Sequence, residues 1–106
     1  MPISIGVVLK IILILFFALF AQLVNALNVT EVSSGIYVHF GQHEFPNKVN
    51  HGAIANIGFI VGDSCVAVID TGGNPEQGYA LKKAIEKTTS KPVCYVINTH
   101  VHPDHI

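Results

Sequence analysis

Apolar positions change their spacing several times along the chain, and each change marks an element. Residues 11–21, "IILILFFALFA", form an unbroken apolar run with no polar face. After a turn signal at Ser33-Ser34-Gly35, Ile36, Val38 and Phe40 alternate with Tyr37 and His39, the period of a half-buried strand. Residues 45–52, "FPNKVNHG", are loop by composition. Residues 56–61 and 65–70 read as two strands around a tight turn at Gly62-Asp63-Ser64. The stretch "CVAVI" is continuously apolar, as expected of a strand covered on both faces.

The spacing then becomes helical. Leu81, Ala84, Ile85 and Thr88 fall on one side, with Lys82, Lys83, Glu86 and Lys87 mostly on the other. Asn74 is suited to cap this helix, Pro75 to its first position, and Gln77 to a capping box. Lys91-Pro92 ends it, and "VCYVIN", residues 93–98, reads as another buried strand. Strand, helix and strand within about 35 residues make a βαβ unit, so strands 65–70 and 93–98 should be parallel. The fold class is therefore α/β (α+β), with a mixed sheet. In such sheets ligands collect at the carboxyl ends of strands. Both Asp70-Thr71-Gly72-Gly73 and Thr99-His100-Val101-His102 lie at such ends, so two separate loops should converge.

Composition changes the picture at the amino terminus. With 106 residues there is room for one domain at most. The apolar run follows Lys10 and precedes "VNA", a loose match to a signal-peptidase site, so residues 1–26 read as a signal peptide rather than an uncleaved anchor. The remainder, residues 27–106, is then exported, to a periplasmic or secreted location. It carries 5 lysines against 7 acidic residues, without a basic stripe, which argues against nucleic acid as a partner. The signal segment is the one expected contact with membrane. An exported compartment permits a disulfide between Cys65 and Cys94. Each stands five residues before a strand end, at Asp70 and Thr99, so the two are near neighbours if those ends align. A bond and two packed thiols both remain open.

The chemistry is concentrated at the carboxyl end, "NTHVHPDHI". In an extended loop His100 and His102 point the same way and suit one zinc. After Pro103 the chain turns, and Asp104 and His105 suit a second metal; imidazole with carboxylate fits zinc or iron. Asp104 is also the candidate catalytic group, holding a metal-activated water and carrying a proton to the leaving group. His39, His43 and His51 read as solvated loop residues, with a substrate-contacting role for His39 and His43 as the alternative.

"THVHPDH", residues 99–105, is the His-x-His-x-Asp-His signature of the metallo-β-lactamase superfamily, and "VIDTGG", residues 68–73, resembles the aspartate-bearing strand end that precedes it. The resemblance extends over residues 27–106 and implies the amino-terminal half of an αββα sandwich. "GIYVHFGQHE" and "HGAIANIGFIVGD" look most like the exported zinc hydrolases associated with quinoprotein relay systems and sulfur oxidation. By this resemblance His100 and His102 would bind a first zinc, and Asp104 and His105 a second. Asp70 would stand behind the ligands and steady their loop; capping of the Gly72-Gly73 turn is the competing role. The implied reaction is hydrolysis of a small-molecule ester, thioester, lactam or phosphoester. Family members need further ligands beyond the signature, so the chain reads as an amino-terminal fragment, inert alone. Two alternatives stand beside the hydrolase: a mononuclear iron oxygenase acting on persulfides, and a non-catalytic exported metal-binding protein.

Overall fold

The computed structural model describes residues 1–20 and 25–106, and side chains for residues 1–16 and 25–106. The apolar amino-terminal segment forms helix α1, Ile5–Phe20. The end of its apolar run at Ala21, and Val24 of the expected cleavage stretch, lie outside the described residues. Among the described residues, no helix is long and apolar enough to cross a membrane.

Five strands follow: β1 (Thr30–Ser33), β2 (Ile36–His39), β3 (Ile57–Val61), β4 (Val66–Ile69) and β5 (Val93–Ile97), with helix α2 (Pro75–Thr88) between the last two. They form one sheet in sequence order. Neighbours from β1 to β4 are antiparallel, and β4 pairs with β5 in parallel. The mixed sheet and the βαβ unit read from the sequence are therefore present. β1 is an addition. Its residues, "TEVS", are all exposed and carry no apolar period to betray a strand. Backbone pairing with β2 makes it one, and Gly35 N–H donates to Glu31 Oε1 at 3.0 Å across the hairpin.

One apolar core joins α2 to the sheet. Ile57, Phe59, Val66 and Val68 pack with Leu81, Ala84 and Ile85. The period-2 alternation along β4 puts Val66, Val68 and Asp70 on this covered face; Cys65, Ala67 and Ile69 stay half-buried. The continuous apolar run thus has one covered face, not two. β5 departs further from expectation, since every residue in it is exposed. The buried cluster is made by β3, β4 and α2, so the helix does not reach over the edge strand. The alternation in β2 also runs opposite to the simplest reading. Tyr37 faces the core and stacks on Phe59 at 4.9 Å, while Ile36 and Phe40 are exposed. Register decides this, because Tyr37 stands opposite Phe59.

Cys65 and Cys94 are joined by a disulfide, with Cα atoms 5.8 Å apart. Val66 pairs with Val93 but Ala67 pairs with Tyr95, so Cys94 is the extra residue at a register shift. The two are near neighbours as the sequence allows, although the strand ends pair Ile69 with Ile97, one residue out of the Asp70–Thr99 alignment.

Asn74 caps α2 as expected, its Oδ1 accepting from Gln77 N–H at 2.9 Å. The reciprocal arm goes elsewhere. Gln77 Nε2 donates to the His51 carbonyl at 3.3 Å, beside Asn74 Nδ2 at 3.0 Å. The helix start is thereby tied to the 45–52 loop. Asn74→Ala should cost about 1–2 kcal/mol, read as a lower urea midpoint with unchanged slope.

Candidate metal centre

The loops after β4 and β5 meet as the topology requires. Asp70 N–H donates to Ile97 O, and Thr71 N–H donates to His105 O, each at 2.9 Å. Two sequence features permit this approach. Asp70 adopts φ 57°, a left-handed conformation that short polar side chains tolerate. A Cβ on Gly73 would lie 2.8 Å from Pro103 O and 3.0 Å from Asp104 Cα, so a side chain there would push the loops apart. Within the second loop, His105 N–H donates to His102 O at 3.0 Å, closing a turn that Pro103 favours at its second position.

At the centre lies the Asp70 carboxylate, 2% exposed. Its Oδ1 accepts from Thr99 N–H at 2.7 Å. Its Oδ2 is 2.7 Å from the Thr99 hydroxyl and 2.7 Å from His105 Nδ1. Burial, the largest single influence, pushes this carboxyl up. The Thr99 backbone and hydroxyl bonds, then the bond and charge of His105, together outweigh burial and hold it below its ordinary value. Asp70 is therefore an anion spent on holding the ligand loop. Its bonds go to Thr99 and His105 rather than to the Gly72-Gly73 turn.

Of the expected ligands, His105 contacts this anchor directly and His100 lies close by. The His100 ring lies 4.6 Å from that of His102 and 4.2 Å from that of His105. Asp104 Oδ2 stands 3.7 Å from His105 Nε2, the nitrogen opposite the one bound to Asp70. Ligand atoms of Asp70, His100 and His105 all lie within 4.8 Å of one another. Of these three, Asp70 is the least suited to bind an ion, since its oxygens already take three hydrogen bonds. Imidazoles with a carboxylate suit zinc or iron. Two ligand atoms about 2.1 Å from one tetrahedral zinc stand roughly 3.4 Å apart. The Asp104–His105 pair comes close to that spacing, so these residues fit a divalent metal.

Other histidines lie apart. His39 Nδ1 is 2.8 Å from the Asn28 carbonyl, and His51 Nδ1 is 3.4 Å from Glu76 Oε1 at the start of α2. His43 lines a 380 Å³ cleft with Glu44, Phe45 and Ile54. A second cleft of 350 Å³, also lined by Ile54, runs between Pro46, Gly73, Pro103 and Asp104. Asp104 thus opens onto the second cleft, and Ile54 is the wall it shares with the first. Sequence reasoning passes over Thr99. Its signal was a hydroxyl residue directly before His100, at the end of a strand paired in parallel with the strand that ends at Asp70.

The family model of the metallo-beta-lactamase superfamily matches residues 52–106, a span that contains both loops. The chain belongs to that superfamily. No curated protein matches it at a significant level. As a metallo-beta-lactamase superfamily chain it carries a fold that typically binds metal, and its His/Asp group stands where the two loops meet. "GIYVHFGQHE", residues 35–44, lies before the matched span.

Proposed function

We propose that this chain supplies four metal ligands of an exported zinc-dependent hydrolase, similar to those associated with quinoprotein relay systems and sulfur oxidation. His100 and His102 would hold one zinc, and Asp104 and His105 a second. The observation that supports this best is the pair of contacts made by His105. Its Nδ1 is tied to the buried Asp70 at 2.7 Å, and its Nε2 faces Asp104 at 3.7 Å. A ring anchored from behind by a carboxylate and turned toward a second ligand is an oriented metal ligand. Bound zinc would lower the pKa of its water to about 7, supplying a nucleophile at neutral pH.

The chain's own residues do the rest. Asp70 holds the ligand loop, and the turn closed by His105 N–H presents Asp104 to the cleft. Asp104 keeps 34% of its side chain exposed, so its Oδ2 is placed to take a proton and pass it to a leaving group. Ile54, Pro46 and Pro103 give the groove apolar walls suited to a small acyl or phosphoryl substrate. Export rests on the leader, with its apolar run after Lys10.

Metal analysis of the full-length polypeptide, after dialysis against zinc and removal of excess, tests the reading. Retained zinc with turnover of an ester, thioester, lactam or phosphoester is the expected result. Iron in place of zinc points to persulfide oxidation, and retained zinc without turnover points to a metal carrier. Absence of any retained metal sinks the proposal.

A further inference from the structure

The Thr99 hydroxyl has one proton and two close neighbours. Its Oγ1 lies 2.7 Å from Asp70 Oδ2 and 2.8 Å from His100 Nδ1. An ionised carboxylate only accepts, so the hydroxyl proton points to Asp70. No proton is then left for His100, and its Nδ1 must be the donor to Thr99 Oγ1. His105 meets the same carboxylate directly, Nδ1 to Oδ2 at 2.7 Å. Three donors converge on this one anion, the third being Thr99 N–H on Oδ1 at 2.7 Å. Every proton in the chain of bonds thus has a single consistent direction.

We infer that Thr99 is a positioning residue: its hydroxyl holds His100 in the Nδ1–H tautomer, so that Asp70 sets the lone pair of two imidazoles at Nε2. For His105 the control is direct; for His100 it passes through one hydroxyl. A neutral imidazole donates at one nitrogen and accepts at the other, and the second partner decides which. Without the hydroxyl, His100 loses its reason to keep the proton at Nδ1, and the proton moves to Nε2, the usual site in a free side chain. There it would block the nitrogen that Thr99 leaves free for a metal. Asp70 alone does not reach His100, which is why a hydroxyl is needed at position 99. Thr99 itself touches no metal and no substrate in this scheme.

The purpose of this arrangement rests on the metal-centre reading, but its test does not. Ring-nitrogen NMR on metal-free, 15N-labelled protein at about pH 8 reads the proton on each ring nitrogen directly. In the wild type both His100 and His105 should be protonated at Nδ1. Thr99→Val keeps the size of the side chain and the backbone N–H to Asp70 but removes the hydroxyl. It should move the His100 proton to Nε2, leave His105 unchanged and weaken zinc binding about 10–100-fold. Thr99→Ser should restore both. The unchanged His105 signal reports that the loop is folded in the valine variant. A wild-type His100 protonated at Nε2 overturns the inference without recourse to any variant, and so does a valine variant that keeps the Nδ1 proton. If wild-type rings show the expected tautomers but bind no zinc, the metal-centre proposal falls and the role of Thr99 stands.

Discussion

Asp70→Ala should destabilise the protein by about 3–5 kcal/mol, because three hydrogen bonds to one charged acceptor are lost together. The side chain is 2% exposed and accepts from Thr99 N–H, the Thr99 hydroxyl and His105 Nδ1. Alanine would leave these donors without their acceptor. It would also place a Cβ without a polar tip at φ 57°, adding about 1–2 kcal/mol of backbone strain. Asp70→Asn separates the two effects. Asparagine accepts the left-handed conformation, but its amide nitrogen faces donors, so about 1–3 kcal/mol should be lost. Urea unfolding in the presence of a chelator measures both without interference from metal. In both variants zinc affinity should fall at least 10–100-fold, because His105 loses the group that orients its ring. An asparagine variant within about 0.5 kcal/mol of wild type, with unchanged zinc binding, would show that Asp70 is not the anchor of the loop.

Reduction of the Cys65–Cys94 disulfide should cost about 3.6 kcal/mol, from the chain entropy of closing a loop of this length. The cysteines are 29 residues apart. For a domain of this size that corresponds to a fall in Tm of roughly 15–30 °C. The effect should be large because little else holds β5. Its residues are all exposed, and α2 packs on β3 and β4 instead. Parallel pairing with β4 and the disulfide carry the strand that leads into His100, His102, Asp104 and His105. Differential scanning calorimetry with and without reductant measures the shift, and zinc affinity should weaken in the reduced protein. Titration of the denatured, unreduced protein should find no thiol; two free thiols would remove the basis for this prediction.

Much of the site was legible because its residues are contiguous. The spacing of His100, His102, Asp104 and His105 around Pro103 is a local property, and the turn that His105 N–H closes on His102 O is made within four residues. Helix α2 was legible for the same reason: Asn74, Pro75 and the Leu81-Ala84-Ile85 face act within one element. Burial of the strands was less so. "VCYVI" has the composition of an interior strand, yet its exposure depends on whether helix α2, Pro75–Thr88, reaches over it. The choice of the Tyr37 side of β2 depends on which residue of β3 stands opposite.

The linear order of residues by itself determined the βαβ unit, the capped helix and the cluster of candidate metal ligands, since each follows from spacings of a few residues. Only the tertiary structure decided that Asp70 spends both carboxylate oxygens on Thr99 and His105, that Cys65 and Cys94 are bonded rather than packed as thiols, and that Asp104 opens onto a cleft. Those contacts join residues about 30 apart in sequence, and the register of parallel strands, not any local propensity, brings them together.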